Sequence, residues 1–256
     1  MPLARRTALL LAAPILLTAC SGGSPVAAPT RPPASPSPSP TAVDPRPRLA
    51  LAAKDLAKTS YKIVETDGTH TNLWQVHGPS KSFRVTPSGN LGSTVQIGRD
   101  KWVPVVIAGG VSATVPGGKT RWLKAPKSAV APMPDVVAAR LVTAATGLAE
   151  SAPGTFTGSV PEKVCREVLL FTADRELFVP VDPPASPAKP VKWADTGTIT
   201  IRLDTQGRLV GLAVDVPSAD GTTAKKVSQS YSDFGHGKRP TRPPASQVLE
   251  MSSFPN

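Results

Sequence analysis

Between Ser21 and Pro47 the chain reads SGGSPVAAPTRPPASPSPSPTAVDPRP, a run of proline, serine, threonine and alanine almost free of large apolar side chains. Such a run cannot bury enough apolar surface to offset the entropy of ordering it. Folding is therefore confined to what flanks it. Residues 48–256 follow, a length that suits one domain with a sizeable core. Proline biases the run toward extended polyproline II at about 3.1 Å per residue, so it reads as a tether reaching at most roughly 80 Å. Its Ser-Pro alternation is also of the kind that accepts O-linked sugar.

What precedes the tether says to what it is tied. Arg5 and Arg6 lead into an apolar segment from Thr7 to Ala19, too short for a membrane-spanning helix, which needs about 20 residues, and typical of a secretory leader. Leu17-Thr18-Ala19-Cys20 resembles the bacterial lipobox: an aliphatic residue, two small ones, then cysteine. The resemblance implies cleavage after residue 19 and a diacylglyceryl thioether on Cys20. The expected organisation is a lipoprotein signal peptide over 1–19, a lipidated cysteine and tether over 20–47, and a folded domain over 48–256. The protein is then exported and anchored to the outer face of the cytoplasmic membrane, each buried lipid methylene contributing about 0.8 kcal/mol. The alternative is an ordinary secretion signal that happens to contain a cysteine. With the Cys20 thiol consumed, Cys165 has no intramolecular partner, and stability rests on the core.

The chain carries a formal net charge of +11. Export makes anionic lipid headgroups or cell-wall polymers, rather than nucleic acid, the expected partners of Arg99, Lys101, Lys119, Arg121, Lys124 and Lys127. A solvated basic surface with no specific partner is the bland alternative. A monomer is expected.

The domain opens with RLALAAKDLAKTS, where Leu49, Ala52, Ala53 and Leu56 recur at helical spacing and Lys54 and Lys58 fall on the other side. The period then changes. SYKIVE, NLWQVHG, KSFRVTP and STVQIGRDKWVPVVI carry aromatic and β-branched residues between Gly, Pro, Asn and Asp, which predicts consecutive antiparallel strands. TRWLKAP predicts a further short strand. MPDVVAARLVTAATGLAE returns to helical spacing, with Val137, Leu141, Ala144, Ala145 and Leu148 on one stripe. Strands resume with GTFTGSV and KVCREVLLFT, a proline-rich loop runs from Asp182 to Pro190, and GTITIRLDTQGRLVGLAVDV predicts a hairpin turning at Asp204 to Gly207. KKVSQSYSDFG is the last strand.

This order of lipobox, tether, helix, strands, helix and strands resembles the LolA-like superfamily of exported carriers, and within it the actinobacterial lipoprotein group that includes LppX and LprG. The residues that carry the resemblance are LAKTSYKI, IRLDTQGRLVGLAV and the ending SQSYSDFGHGKRPTRPPASQV, with Tyr231, Asp233, Phe234 and Gly235. It implies an α+β fold: a strongly curved antiparallel sheet, or half-barrel, whose concave face is covered by helices over an apolar cavity. The implied ligand is a lipid or glycolipid, held by its acyl chains. The chain departs from the better-defined carriers over VCREVLLFTADRELFVPV and the loop after it.

Alternate side chains along a strand share a face. The candidate cavity-lining pairs are Trp74 with Val76, Phe83 with Val85, Val95 with Ile97, Ile199 with Ile201, and Val210 with Leu212. A filled core is the alternative for each. Trp102, Trp122 and Trp193 suit a cavity mouth, a bilayer interface or a core cap.

No arrangement suggests catalysis. His70, His77 and His236 lack metal-ligand spacing, Ser186 to Lys189 matches S-x-x-K only inside a proline-rich loop, and Val115 to Thr120 lacks the full phosphate-loop spacing. Cys165 reads as a small buried hydrophobe, or as a reactive thiol if exposed beside Lys163 and Arg166. A non-enzyme without cofactor or metal is expected. Two readings follow: a surface lipoprotein that binds or shuttles a hydrophobic ligand, and an envelope interaction protein with a packed interior and a basic docking surface.

Overall fold

The structure, a computed structural model, describes residues 43–88, 92–107, 111–112, 114–115, 119–166 and 191–249. All belong to the unit Ala42–Asn256, so Cys20, the leader, nearly all of the tether and the Asp182 to Pro190 loop lie outside the described residues.

Helix α1 (Arg46–Asp55) begins at Pro45 with a second proline in its first turn, where a missing N–H costs nothing. It buries Leu49, Ala52 and Ala53, and the following 3₁₀ turn buries Leu56, as their spacing predicts. Strands β1 (Ser60–Thr66), β2 (Thr71–His77), β3 (Ser82–Pro87), β4 (Thr94–Ile97) and β5 (Asp100–Pro104) then form a meander. Two short two-stranded ribbons follow, β6 (Val106–Ile107) with β7 (Val111–Ser112) and β8 (Thr114–Val115) with β9 (Lys119–Thr120). After β10 (Trp122–Lys124) comes α2 (Pro134–Ala144), then β11 (Thr146–Ala152), β12 (Thr155–Pro161), β13 (Thr196–Leu203), β14 (Leu209–Pro217), β15 (Ala224–Ser232) and β16 (Val248–Leu249).

The result is an α+β fold dominated by one open sheet of 12 strands in the order β11-β12-β13-β14-β15-β1-β2-β3-β4-β5-β10-β16. Every neighbouring pair is antiparallel except the last, since β16 runs parallel to β10. The sheet is thus mixed rather than purely antiparallel. The parallel pair exists because the chain leaves β15 in mid-sheet and crosses to the far edge. On the way Gly235 N–H donates to the Ser60 carbonyl (2.8 Å), Gly237 N–H donates to Ser60 Oγ (2.9 Å), and Arg242 pairs with Asp100 (3.3 Å). The Arg242 guanidinium also lies over the Trp102 ring, 5.7 Å from its centroid. The motif from Tyr231 to Gly235 is where this strap turns away from the sheet, with Asp233 and Gly235 both at positive φ.

The predicted hairpin closes as expected. The Asp204 carboxylate accepts the N–H groups of Gln206 and Arg208, both at 2.9 Å, and pairs with the Arg208 side chain at 2.7 Å, while Gly207 supplies a φ of +77°. Two expected elements differ. The second helix ends at Ala144, and the segment containing Leu148 is edge strand β11, bonded to β12 with two register shifts and with Gly147 at φ +62°. Residues 162–166 form a helical turn, although Lys163 to Arg166 are read as the start of a strand. Pro161 ends β12 there, and Arg166 binds both carboxylate oxygens of Glu162 at 2.9 Å, an i,i+4 pairing that a helical turn favours.

Helices α1 and α2 pack on each other and on one face of the sheet. They enclose a single cluster in which Leu49, Ala53, Ala138 and Leu141 meet Tyr61, Ile63, Phe156 and Ile201.

Candidate functional site

Strand register sorts the side chains into cross-strand rows. On the helix-covered face one row reads Tyr61, Val76, Phe83, Gln96, Lys101, the next Tyr231, Ile63, Trp74, Val85, and a third Phe156, Ile201, Leu212, Gln229, Glu65, Asn72. Six of the expected lining residues, Trp74, Val76, Phe83, Ile199, Ile201 and Leu212, lie on this floor with 0 to 5% exposure. Val85 packs half-buried against the same cluster. At that exposure the six side chains are packed almost wholly against other atoms of the protein.

Three expected lining residues are elsewhere. Val95 pairs with Arg84 and Trp102, and Ile97 with Ser82 and Asp100, which puts both on the face away from the helices. The β3–β4 register instead aims Gln96 at the core. Its amide is accommodated because Nε2 donates to the Ala131 carbonyl (2.8 Å) and Oε1 accepts the Ala131 N–H (3.0 Å). Val210 is half-buried, and Leu209 joins the core in its place. Arg202 pairs with Gly211 but Leu203 with Leu209, so a bulge inserts one extra residue into β14 and breaks the two-residue period.

The same face holds a buried polar group that alternation of apolar residues did not reveal. Glu65 accepts from Gln229 Nε2 (2.7 Å) and Asn72 Nδ2 (3.2 Å), and Tyr231 donates its hydroxyl to Gln229 Oε1 (2.6 Å). Burial pushes the Glu65 carboxyl above its ordinary value of 4.5, against the lowering effect of Gln229, Asn72 and the nearby Trp74 indole. Burial also raises both Tyr61 and Tyr231. Tyr61 Oη and Trp74 Nε1 are buried with no hydrogen-bond partner among the described residues. The available signal was Glu65 and Gln229 at inward positions of otherwise alternating strands.

The basic residues do not form one patch. Lys101 is buried on the helix-covered side with Nζ donating to the Ala129 carbonyl (3.1 Å), whereas Lys124 stands opposite Trp102 on the other face and pairs with Asp100 (3.1 Å). Arg99 and Lys127 are exposed, Arg121 is half-buried, and the side chain of Lys119 lies outside the described residues. Trp102 is buried, while Trp122 and Trp193 are half-buried, the latter against the core. Cys165 is buried, and burial, reinforced by Glu162, pushes its thiol up to about 11.

The opposite face of β13, β14 and β15 carries a hollow of about 470 Å³ beside the β1–β2 turn. Its lining includes Thr66, Thr198, Thr200, Ala213 and Ser228, with Asp215 and Lys226 at one side. The last two form an ion pair at 2.9 Å.

No protein-family model matches this chain, and no curated protein sequence matches it.

Proposed function

We propose that this chain is an exported lipoprotein, held to the outer face of the cytoplasmic membrane through Cys20 and the 20–47 tether, and that it works as a non-catalytic binding module through its surface, with a LolA-like half-barrel packed solid behind it. The observation that supports this best is the filled floor. A ligand site usually offers some 300–1,000 Å³ of concave space, whereas Phe83, Ile199, Ile201 and Leu212 are at most 2% exposed, in one cluster with the buried residues of α1 and α2.

A second reading keeps the carrier. Tyr61 Oη and Trp74 Nε1 are buried polar groups that meet no hydrogen-bond geometry among the described residues, although the Trp74 indole is near Glu65, and such groups normally cost free energy. The polar end of a lipid or glycolipid entering between sheet and helices would satisfy them.

Native mass spectrometry of the protein extracted from its own membranes separates the two. The surface-module reading expects no mass beyond the lipid on Cys20; a second, non-covalent lipid overturns it in favour of the carrier. Cys20→Ser tests the anchor in the same preparation. The variant should fold and leave the membrane fraction, and a variant that stays lipid-labelled in the membrane removes the anchor.

A further inference from the structure

The hollow on the face away from α1 and α2 has a chemistry of its own. Thr157, Thr200, Ala213, Ser228 and Thr66 stand opposite one another across five successive strands, β12, β13, β14, β15 and β1. Thr200, Ala213, Ser228 and Thr66 are half-buried, whereas Thr198 and Lys226 in the adjoining row are exposed. The first row is therefore a floor and the second a rim.

Three features limit what this floor can hold. Among the described residues, the hydroxyls of Thr198, Thr200 and Ser228 bond to no other protein group, while Thr66 Oγ1 accepts the Gly68 N–H (3.1 Å). Each free hydroxyl offers both a donor and an acceptor. Asp215 and Lys226 neutralise each other at the rim, so the hollow selects no net charge. Its floor is one alanine among hydroxyls, without the aromatic or long aliphatic side chains that an acyl chain would need.

We propose that this hollow binds a neutral saccharide of one or two sugar units. A sugar is dense in hydroxyls that both give and accept hydrogen bonds, matching Thr198, Thr200 and Ser228. Strands lie about 4.8 Å apart, so Thr200 and Ser228, separated by β14, are about 10 Å apart, a span that two linked rings fill. With no aromatic ring among its lining residues, the site holds its ligand by hydrogen bonds and by contact with Ala213 and the threonine methyl groups, which suits reversible attachment to a repeating glycan. The proposal rests on the reading that the protein acts through its surface.

The test uses the full chain in a detergent without a sugar headgroup, titrated with glucose, galactose, mannose and N-acetylglucosamine disaccharides and followed by saturation-transfer NMR. The doubly substituted Thr198→Val, Thr200→Val chain keeps the side-chain shape and removes two hydroxyls. Ala213→Phe fills the floor from the solvent side. We expect the wild type to bind at least one disaccharide and each variant to bind it at least tenfold more weakly with an unchanged urea midpoint. If Ala213→Phe unfolds, the double valine variant still decides. A wild type that binds none of the four, or variants that bind as well as wild type, overturns the proposal. If that happens while the Cys20→Ser chain, which lacks the lipid, still sediments with a purified envelope fraction, the surface reading stands without the hollow; if native mass spectrometry shows a lipid inside the fold, the surface reading itself has failed.

Discussion

Phe83 and Gln96 face each other across β3 and β4 on the helix-covered side of the sheet. An aromatic ring and an amide share that position because the backbone of Ala131, just ahead of α2, takes both ends of the amide. The pairing ties the far half of the sheet to the chain entering the second helix.

Gln96→Leu should therefore destabilise the domain although it replaces a buried polar residue with an apolar one of similar size. It leaves a buried N–H and a buried C=O on Ala131 unpaired, at about 1–3 kcal/mol each. Urea unfolding should show a loss of about 2–6 kcal/mol. A change below 0.5 kcal/mol, on the order of an ordinary surface substitution, would mean that Ala131 finds other partners.

Glu65 should impose a pH dependence opposite to that of a paired surface acid. Burial raises its folded pKa above the ordinary 4.5, so across the interval the native state binds the extra proton. Its contribution is most favourable below the ordinary value and declines as pH rises from there through the raised folded value. Glu65→Gln should flatten that decline. Denaturation midpoints of both chains between pH 4 and pH 8 check it, and parallel curves would refute the assignment.

A filled floor resists overfilling. Ile201→Trp should cost about 1–3 kcal/mol, as extra volume in a packed core does, and Val85→Trp should cost less because Val85 is half-buried at the margin. The readout is the urea midpoint. An Ile201→Trp chain as stable as wild type points to open space above the floor and to the carrier.

Cys165 should behave as an inert core residue. Its thiol is buried and shifted up to about 11, so at pH 8 almost no thiolate is present, and the thiolate is the reactive form. In a Cys20→Ser chain a thiol reagent should label it slowly in buffer and rapidly in urea. Equal rates would place the sulfur at the surface.

The sequence by itself determined the segment that cannot bury a core, the first helix with its apolar stripe, the sheet-forming runs and the hairpin at Asp204 to Gly207, because each of these is written in composition or in a period that neighbouring residues share. It also marked Trp74, Val76, Phe83, Ile199, Ile201 and Leu212 as inward. Only the tertiary structure decided which face Val95 and Ile97 take, because T-V-Q-I alternates equally well either way and the choice was made by Gln96 finding Ala131, 35 positions along the chain. It likewise decided that Leu209 rather than Val210 enters the core, since a bulge shifts register without a local signature. The segment around Leu148 became an edge strand because β12 offered Thr146, Ala149 and Glu150 partners that helical spacing could not foresee, with Leu148 itself at a register shift. Whether a face is a packed floor or an open hollow depends on what lies above it, and period 2 fixes the face while the rest of the chain supplies the cover.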